Sequence, residues 1–277
     1  MTTFATWATG TVQPSPELAL RVLVAAGRAG ARGMVCAWRD ELLAAGKASS
    51  TVAGMLSALV SVVTAARLAG LVEWALERVA PKVEPRLDRS GPQRLDVARL
   101  LDHLDGLDDD RAVRDAAIVR LLHGAALRLN EVCTLRFCDL ALDADGGAAV
   151  LALRKGHTER ERMLVGELAA ASLRRWLDRR GAAGPDAPLF VAVRRASEEP
   201  ITGRAIERML ATRAKEAGIR ATIRPHGLRH SAASHVARGG SLAQLKRLGG
   251  WSTLTSPARY LDRVDADRRT AVALAEV

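Results

Sequence analysis

Residues 80–95, APKVEPRLDRSGPQRL, interrupt a chain that otherwise reads as one helical pattern after another. Three prolines and a glycine stand there among charges of both signs, with no apolar period. Proline has no N–H and a locked φ, so neither a helix interior nor a central strand runs through such a stretch. A polar, proline-punctuated segment of this kind is a connector, and it predicts two separately folded parts. The length of 277 residues is enough for two domains with real cores. The boundaries expected on this basis are a helical unit over residues 1–85, a linker over 86–95, and a second unit over 96–277 that includes a C-terminal tail.

In the first unit, SPELALRVLVAAGRAG predicts a helix with Ser15 as N-cap and Pro16 at the first helical position. RGMVCAWRDELLAAG carries apolar residues at helical spacing and stops at Gly46. SSTVAGMLSALVSVVTAARLAG predicts a third helix, capped at Ser49 or Ser50 and ended by Gly70, and LVEWALERVA predicts a short fourth. Past the linker, LDVARLLDHLDG and DDDRAVRDAAIVRLLHGAAL predict helices, the second with Asp108–Asp110 at the positive end of its dipole. The period then changes. AVLALR and RERMLV flank the polar turn KGHTE, a β-hairpin signal. ELAAASLRRWLDRRG, TGRAIERMLATRAKEAG, HGLRHSAASHVARGG and SLAQLKRLGG return to helix, and DADRRTAVALAEV predicts a terminal one. The expected fold class is mainly α, with a small β-hairpin or sheet in the second domain.

Composition narrows the partners. With 48% apolar and 26% charged residues the chain is globular and not disordered. Lys and Arg total 41 against 31 Asp and Glu, a net charge of +10. Residues 1–90 carry +3 (ten basic, seven acidic) and the remainder +7 (31 basic, 24 acidic), so both parts are basic. A positive field favours a polyanion such as nucleic acid, but an arginine-rich protein without that partner has the same count, and charge alone leaves both open. Cys36, Cys133 and Cys138 form an odd set with no CxxC, which argues against a disulfide framework or a zinc site. Cys133 and Cys138 lie in an apolar run and are expected to be small core residues. MTTFATWATG lacks the basic start and apolar run of a signal peptide. TVAGMLSALVSVVTAA is short and dotted with Ser and Thr, so it predicts a buried helix and not a membrane span. A cytoplasmic location is the expectation.

The chemistry-bearing residues cluster late. In PHGLRHSAASHVARGG, His226 and Arg229 lie three apart, which on a helix brings an imidazole and a guanidinium to one face. No carboxylate or cysteine accompanies these histidines, so the pattern does not suit a metal. Arginine offers phosphate a planar fork of donors, and histidine adds a donor or a proton carrier. By themselves such residues as readily cap a helix or hydrogen-bond in a core. Downstream, LGGW ends at Trp251, and the only tyrosine, Tyr260 in SPARYLDRVD, follows nine residues later. Upstream, HGAALRLNEVCTLRFCDL holds Arg128 and Glu131 in an Arg-x-x-Glu spacing, and LRKGHTERERMLV holds Lys155 in its turn. In order and spacing these residues resemble the signature of the tyrosine recombinase (phage integrase) family, in its two-domain Xer/Cre-like form, over residues 92–265.

The resemblance implies a two-domain clamp on duplex DNA and a reaction that needs no cofactor and no metal. The Tyr260 oxygen would attack a DNA phosphodiester, leaving a 3′-phosphotyrosyl link and a 5′-hydroxyl, and a second 5′-hydroxyl would resolve the link. A phenol of pKa about 10 is a poor nucleophile at neutral pH and needs help. By resemblance, Arg128 and Arg229 clamp the nonbridging oxygens and Trp251 adds a donor. His226 is a proton acceptor near the tyrosine or a phosphate donor, and Lys155 is the general acid for the leaving 5′ oxygen. Glu131 orients its neighbours. His230 is expected to hydrogen-bond and hold the HGLR turn outside the chemistry, and His103, His123, His157 and His235 receive no role. Trp251 stands where most members have His; its indole donates but cannot accept a proton. Asn130, Gly227 and Arg154 also depart from the usual pattern, and none of these removes a catalytic group.

The implied partners are double-stranded DNA, further copies of this chain in a homo-tetramer on DNA, and an accessory DNA-bending protein or partner recombinase, with no membrane. Lys47 to Thr51, at the start of the third helix, are implied phosphate contacts. No arm-binding domain is expected, since few residues precede Ser15, and docking of the terminal segment in cis or in trans stays open. Two rival functions remain. One is a catalytically lapsed DNA-binding protein of the same fold, against which the intact Arg128, Lys155, His226, Arg229 and Tyr260 speak. The other is a type IB topoisomerase-like relaxing enzyme, which oligomerisation on DNA would distinguish.

Overall fold

The computed structural model describes residues 4–10, 16–77, 79–81, 91–143, 147–153, 158–192, 198–251, 258 and 260–261. The chain divides into two compact units, Met1–Arg86 and Leu87–Val277. The terminal helix expected over 265–277 lies outside the described residues, as does Ser15.

The first unit contains α1 (Phe4–Thr9), α2 (Pro16–Ala25), α3 (Gly27–Ala44) and α4 (Ser49–Leu68). The single helix expected over SPELALRVLVAAGRAG is broken at Gly27, whose φ of +63 suits a residue without a Cβ. The core gathers Leu23 from α2, Val35 and Trp38 from α3, and Val52, Leu56 and Val63 from α4. The short α1, which no sequence signal predicted, closes it with Phe4 set edge-on against Trp38 at 5.2 Å. By length and composition α4 is apolar enough to cross a bilayer, yet it packs here on α3. It buries only Val52, Leu56, Val63 and Ala66, so it is a one-sided core helix and not an enclosed one.

LVEWALERVA does not form the expected fourth helix. Val72 and Leu76 are buried in the first core, and α3 bonds one backbone carbonyl and one carboxylate of the segment. Arg39 Nη1 donates to the Val79 carbonyl at 3.2 Å, and Arg28 and Arg32 reach Glu77 at 2.9 and 3.4 Å. A carbonyl satisfied from outside no longer needs a helical partner.

The second unit contains α5 (Arg94–Asp105), α6 (Asp110–Gly124), α7 (Leu129–Cys133), β1 (Leu140–Leu142), β2 (Ala148–Leu153) and β3 (Arg160–Val165). It continues with α8 (Glu167–Arg180), α9 (Gly203–Glu216), α10 (Pro225–Gly239) and α11 (Leu242–Gly249). Asp109 caps α6 by accepting from the Arg111 and Ala112 amides at 3.0 and 3.1 Å. Ten of the fifteen residues of α6 are buried, which makes it the central helix, with α5, α8 and α10 packed around it. It also buries two charges. Asp115 Oδ1 accepts from Arg114 Nη2 at 2.7 Å, and Asp115 Oδ2 accepts from Arg213 Nε of α9 at 3.0 Å. Arg114 Nη1 donates to the Val191 carbonyl at 3.0 Å. Buried charges persist only when paired in this way.

The expected hairpin is present as β2 and β3, antiparallel from Ala148↔Val165 to Leu153↔Arg160. A third strand, β1, extends it in the order β1-β2-β3. Arg160 Nη1 donates to buried Asp139 Oδ2 at 2.8 Å and to the Leu151 carbonyl at 3.2 Å, anchoring the root of the hairpin. Cys138 is exposed, contrary to the core position expected for it, because its neighbour Asp139 takes the inward place in the turn. Cys133 is half-buried, and burial pushes its thiol up to about 11, which keeps it an unreactive packing residue.

Candidate active site

Four segments far apart in sequence converge around Arg229. Its helix, α10, begins with Pro225 at the first helical position after an extended Arg224. That start sets His226, Arg229 and His230 in the first two turns. Arg229 turns inward and is only 4% exposed. Its Nη1 donates to the Ala126 carbonyl, and its Nη2 donates to the Gly249 carbonyl at 2.5 Å. The face of Trp251 lies over the guanidinium, 5.1 Å from its carbon.

Arg128 is two residues beyond Ala126 and forms the extended N-cap of α7. Glu131, buried on the first turn of α7, accepts from the Arg128 amide and from Arg128 Nη1, both at 2.7 Å. One carboxylate thus caps the helix and aims the guanidinium, which remains about a third exposed. The Arg-x-x-Glu spacing is the local cause of this geometry, since three residues span one turn from the cap.

Ala126 is the one non-glycine residue at positive φ (+48) among the described residues. Left-handed backbone costs a Cβ-bearing residue roughly 1–2 kcal/mol, while glycine there loses about 0.5–1 kcal/mol of chain entropy. Ala126→Gly is therefore expected to raise unfolding free energy by about 0.5–1 kcal/mol. A urea midpoint that falls on this change would show that the carbonyl held by Arg229 is not strained.

The LGGW turn closes the other side. α11 is capped by Ser241 and Gln244 in a reciprocal pair and ends at Gly250, which is left-handed. The turn folds Trp251 back over Gly249, where a Cβ would stand 2.0 Å from the indole ring. Tyr260 and Leu261 follow in helical backbone. The tyrosine ring is buried against Ala233, Ala237 and Leu245, and it tilts toward Trp251 at 5.7 Å. Its hydroxyl meets His230 Nδ1 at 2.5 Å. His230 Nε2 in turn meets His226 Nε2 at 2.7 Å, with the two rings edge to face.

The structure therefore brings together Arg229, Trp251 and Tyr260, with Arg128 next to the Ala126 loop and His226 at the exposed rim. Arg229 points inward while His226 is exposed, so the two do not share one open face as their spacing predicted. Lys155 lies outside the described residues, between paired Leu153 and Arg160. His230, expected to hold the turn, contacts the tyrosine hydroxyl. The i, i+4 spacing of His226 and His230 was the signal that could have linked them. His123, on α6, is held below the usual histidine range by burial, then by His235 and Arg94. Gly227 also has a packing reason: a Cβ there would press on Pro92 at 3.2 Å.

Comparison with known proteins gives a family. The phage integrase family model matches residues 93–266. A tyrosine recombinase of Synechocystis sp. is 31% identical over 208 residues, 74% of this chain and 65% of that protein. Tyrosine recombinase XerC of Corynebacterium efficiens is 31% identical over 229 residues, 81% of this chain and 71% of that protein. XerC of Corynebacterium glutamicum is matched over 59% of its length, so the chain spans about three fifths of some of these relatives. Among solved structures, XerH recombinase bound to its palindromic difH substrate superposes with a TM-score of 0.67 at 16% identity, over 88% of this chain and 72% of that one. The Tn1549 transposon integrase in complex with circular intermediate DNA gives 0.62 at 18%, over 93% of each chain. At these identities the likeness is one of fold: a mainly helical chain with a small three-stranded sheet.

Proposed function

Because this chain belongs to the phage integrase family, the tyrosine recombinases, we propose that it is a site-specific recombinase that cuts and rejoins double-stranded DNA through Tyr260. The observation that carries this reading is the double grip of Arg229 on the Ala126 and Gly249 carbonyls. It ties the Arg128 loop to the Trp251 turn beside the tyrosine hydroxyl. A buried guanidinium under the Trp251 ring, and a second held by Glu131 two residues from the Ala126 carbonyl, suit the extra negative charge of a pentavalent phosphate. Glu131 supports the reading by aiming Arg128, and the basic charge of both parts of the chain supports DNA as substrate. Lys155 would protonate the leaving 5′ oxygen, and the indole of Trp251 would donate to a nonbridging oxygen. The bond energy stays in the tyrosyl ester, so the reaction calls for no cofactor. The protein would work in the cytoplasm, as a tetramer across two DNA sites, with or without an accessory or partner recombinase. Lys47 to Thr51, ahead of and entering α4, are proposed phosphate contacts.

The test is covalent trapping. Wild type and Tyr260→Phe are incubated with labelled, nicked duplexes from the flanks of the gene, so that the short 5′-hydroxyl fragment is lost after cleavage. An SDS-resistant adduct in the wild type and none in Tyr260→Phe is the expected result. Salt-sensitive binding by both proteins with no adduct would instead favour a lapsed DNA-binding protein.

A further inference from the structure

Tyr260, His230 and His226 form a continuous chain of polar atoms: Oη to Nδ1 at 2.5 Å, then Nε2 to Nε2 at 2.7 Å. A nitrogen–nitrogen hydrogen bond requires one ring to donate and the other to accept. If the phenol donates to His230 Nδ1, neutral His230 carries its proton on Nε2 and donates it to His226 Nε2. His226 then carries its own proton on Nδ1. One set of tautomers thus serves all three groups with both rings neutral. The burial gradient runs the same way, from the buried tyrosine through half-buried His230 to exposed His226.

We infer that His230 is the immediate proton acceptor of Tyr260, and that His230 and His226 act as a two-imidazole relay. The inference rests on the reading of Tyr260 as nucleophile. During cleavage the Tyr260 O–H bond breaks as Oη–P forms. The proton goes to His230 Nδ1, the Nε2 proton of His230 passes to His226 Nε2, and the positive charge ends on the exposed ring beside the substrate. The P–O5′ bond breaks, and its oxygen takes a proton from a separate acid, the role proposed for Lys155. Rejoining runs in reverse: the departing phenolate regains its proton from His230, and His226 returns one to His230. An imidazole suits this step because its ordinary pKa near 6.5 lets it take and release a proton at neutral pH. Trp251, the other ring beside the phenol, cannot take this role, since its indole only donates.

The first test needs no DNA. In full-length protein carrying nitrogen-15 histidine, long-range proton–nitrogen correlation spectra report the tautomer of each of the six rings, with His226→Gln and His230→Gln as assignment variants. His230 is expected to be fixed in the Nε2–H form in the wild type and to lose that bias in Tyr260→Phe. An Nδ1–H form in the wild type, or a His230 signal indifferent to Tyr260→Phe, would overturn the relay. The second test uses the nicked duplexes described above. His230→Gln keeps hydrogen-bonding atoms near the phenol but cannot carry the proton, and it is expected to bind DNA as the wild type does while forming adduct about a hundredfold more slowly. Adduct formation at the wild-type rate in His230→Gln would sink the relay while leaving Tyr260 as nucleophile. Adduct surviving in Tyr260→Phe would instead remove the nucleophile on which the relay rests.

Discussion

Arg229→Lys is expected to cut the rate of covalent adduct formation by about 10²–10³ and to lower unfolding free energy by about 1–3 kcal/mol. The guanidinium is almost fully buried and spans two carbonyls from different segments, Ala126 and Gly249, under the Trp251 ring. A planar fork serves both carbonyls at once. An ammonium is a single point of charge on a flexible stem and cannot match that geometry. One buried carbonyl would then be left short of a partner, which accounts for the stability loss. The Arg128 loop and the Trp251 turn would also no longer be tied together, and misplacement by about 1 Å at a reacting centre is enough to cost about a hundredfold. The two effects are read separately, from a urea midpoint and from single-turnover trapping on nicked duplex. If Arg229→Lys lost stability but cleaved at the wild-type rate, Arg229 would be a structural tie with no part at the phosphate.

Gly249→Ala is expected to lower stability by about 1–3 kcal/mol and to slow cleavage about a hundredfold. The added Cβ would stand 2.0–2.3 Å from three carbons of the Trp251 ring, far inside van der Waals contact. The ring has to move, and it lies over Arg229 and beside Tyr260. The origin of the effect is checked by pairing it with Trp251→His, whose smaller ring leaves room for the methyl group. In that background Gly249→Ala is expected to cost much less, a non-additive cycle of the kind that contacting residues give. Equal losses in both backgrounds would place the damage elsewhere, in the αL turn at Gly250.

Most element types were legible in the sequence. The apolar spacings of RGMVCAWRDELLAAG, ELAAASLRRWLDRRG and TGRAIERMLATRAKEAG became α3, α8 and α9, because a helix registers its period within a few turns of itself. AVLALR and RERMLV paired as expected, because strand alternation with a polar turn between is equally local. What failed depended on distant partners. LVEWALERVA has helical spacing, but Arg39 of α3 took its Val79 carbonyl, and Arg28 and Arg32 took its Glu77 carboxylate. Cys138 lay outside the core because Asp139 took the inward place to meet Arg160.

The residues of the candidate site were legible as well, by their order and spacing, but not their contacts. The order of residues alone fixes which chemical groups are present, most of the helical and strand stretches, and the basic charge of both parts of the chain. That Arg229 bridges Ala126 and Gly249, and that the tyrosine hydroxyl meets His230, came only with the folded chain. The physical reason is one of range. Backbone periods and caps arise within about one turn of the chain, whereas a hydrogen bond forms only when two atoms come within about 3 Å. Tyr260 and His230 are thirty residues apart, and the packing of Tyr260 on Ala233 and Ala237 of α10 and Leu245 of α11 brings them together.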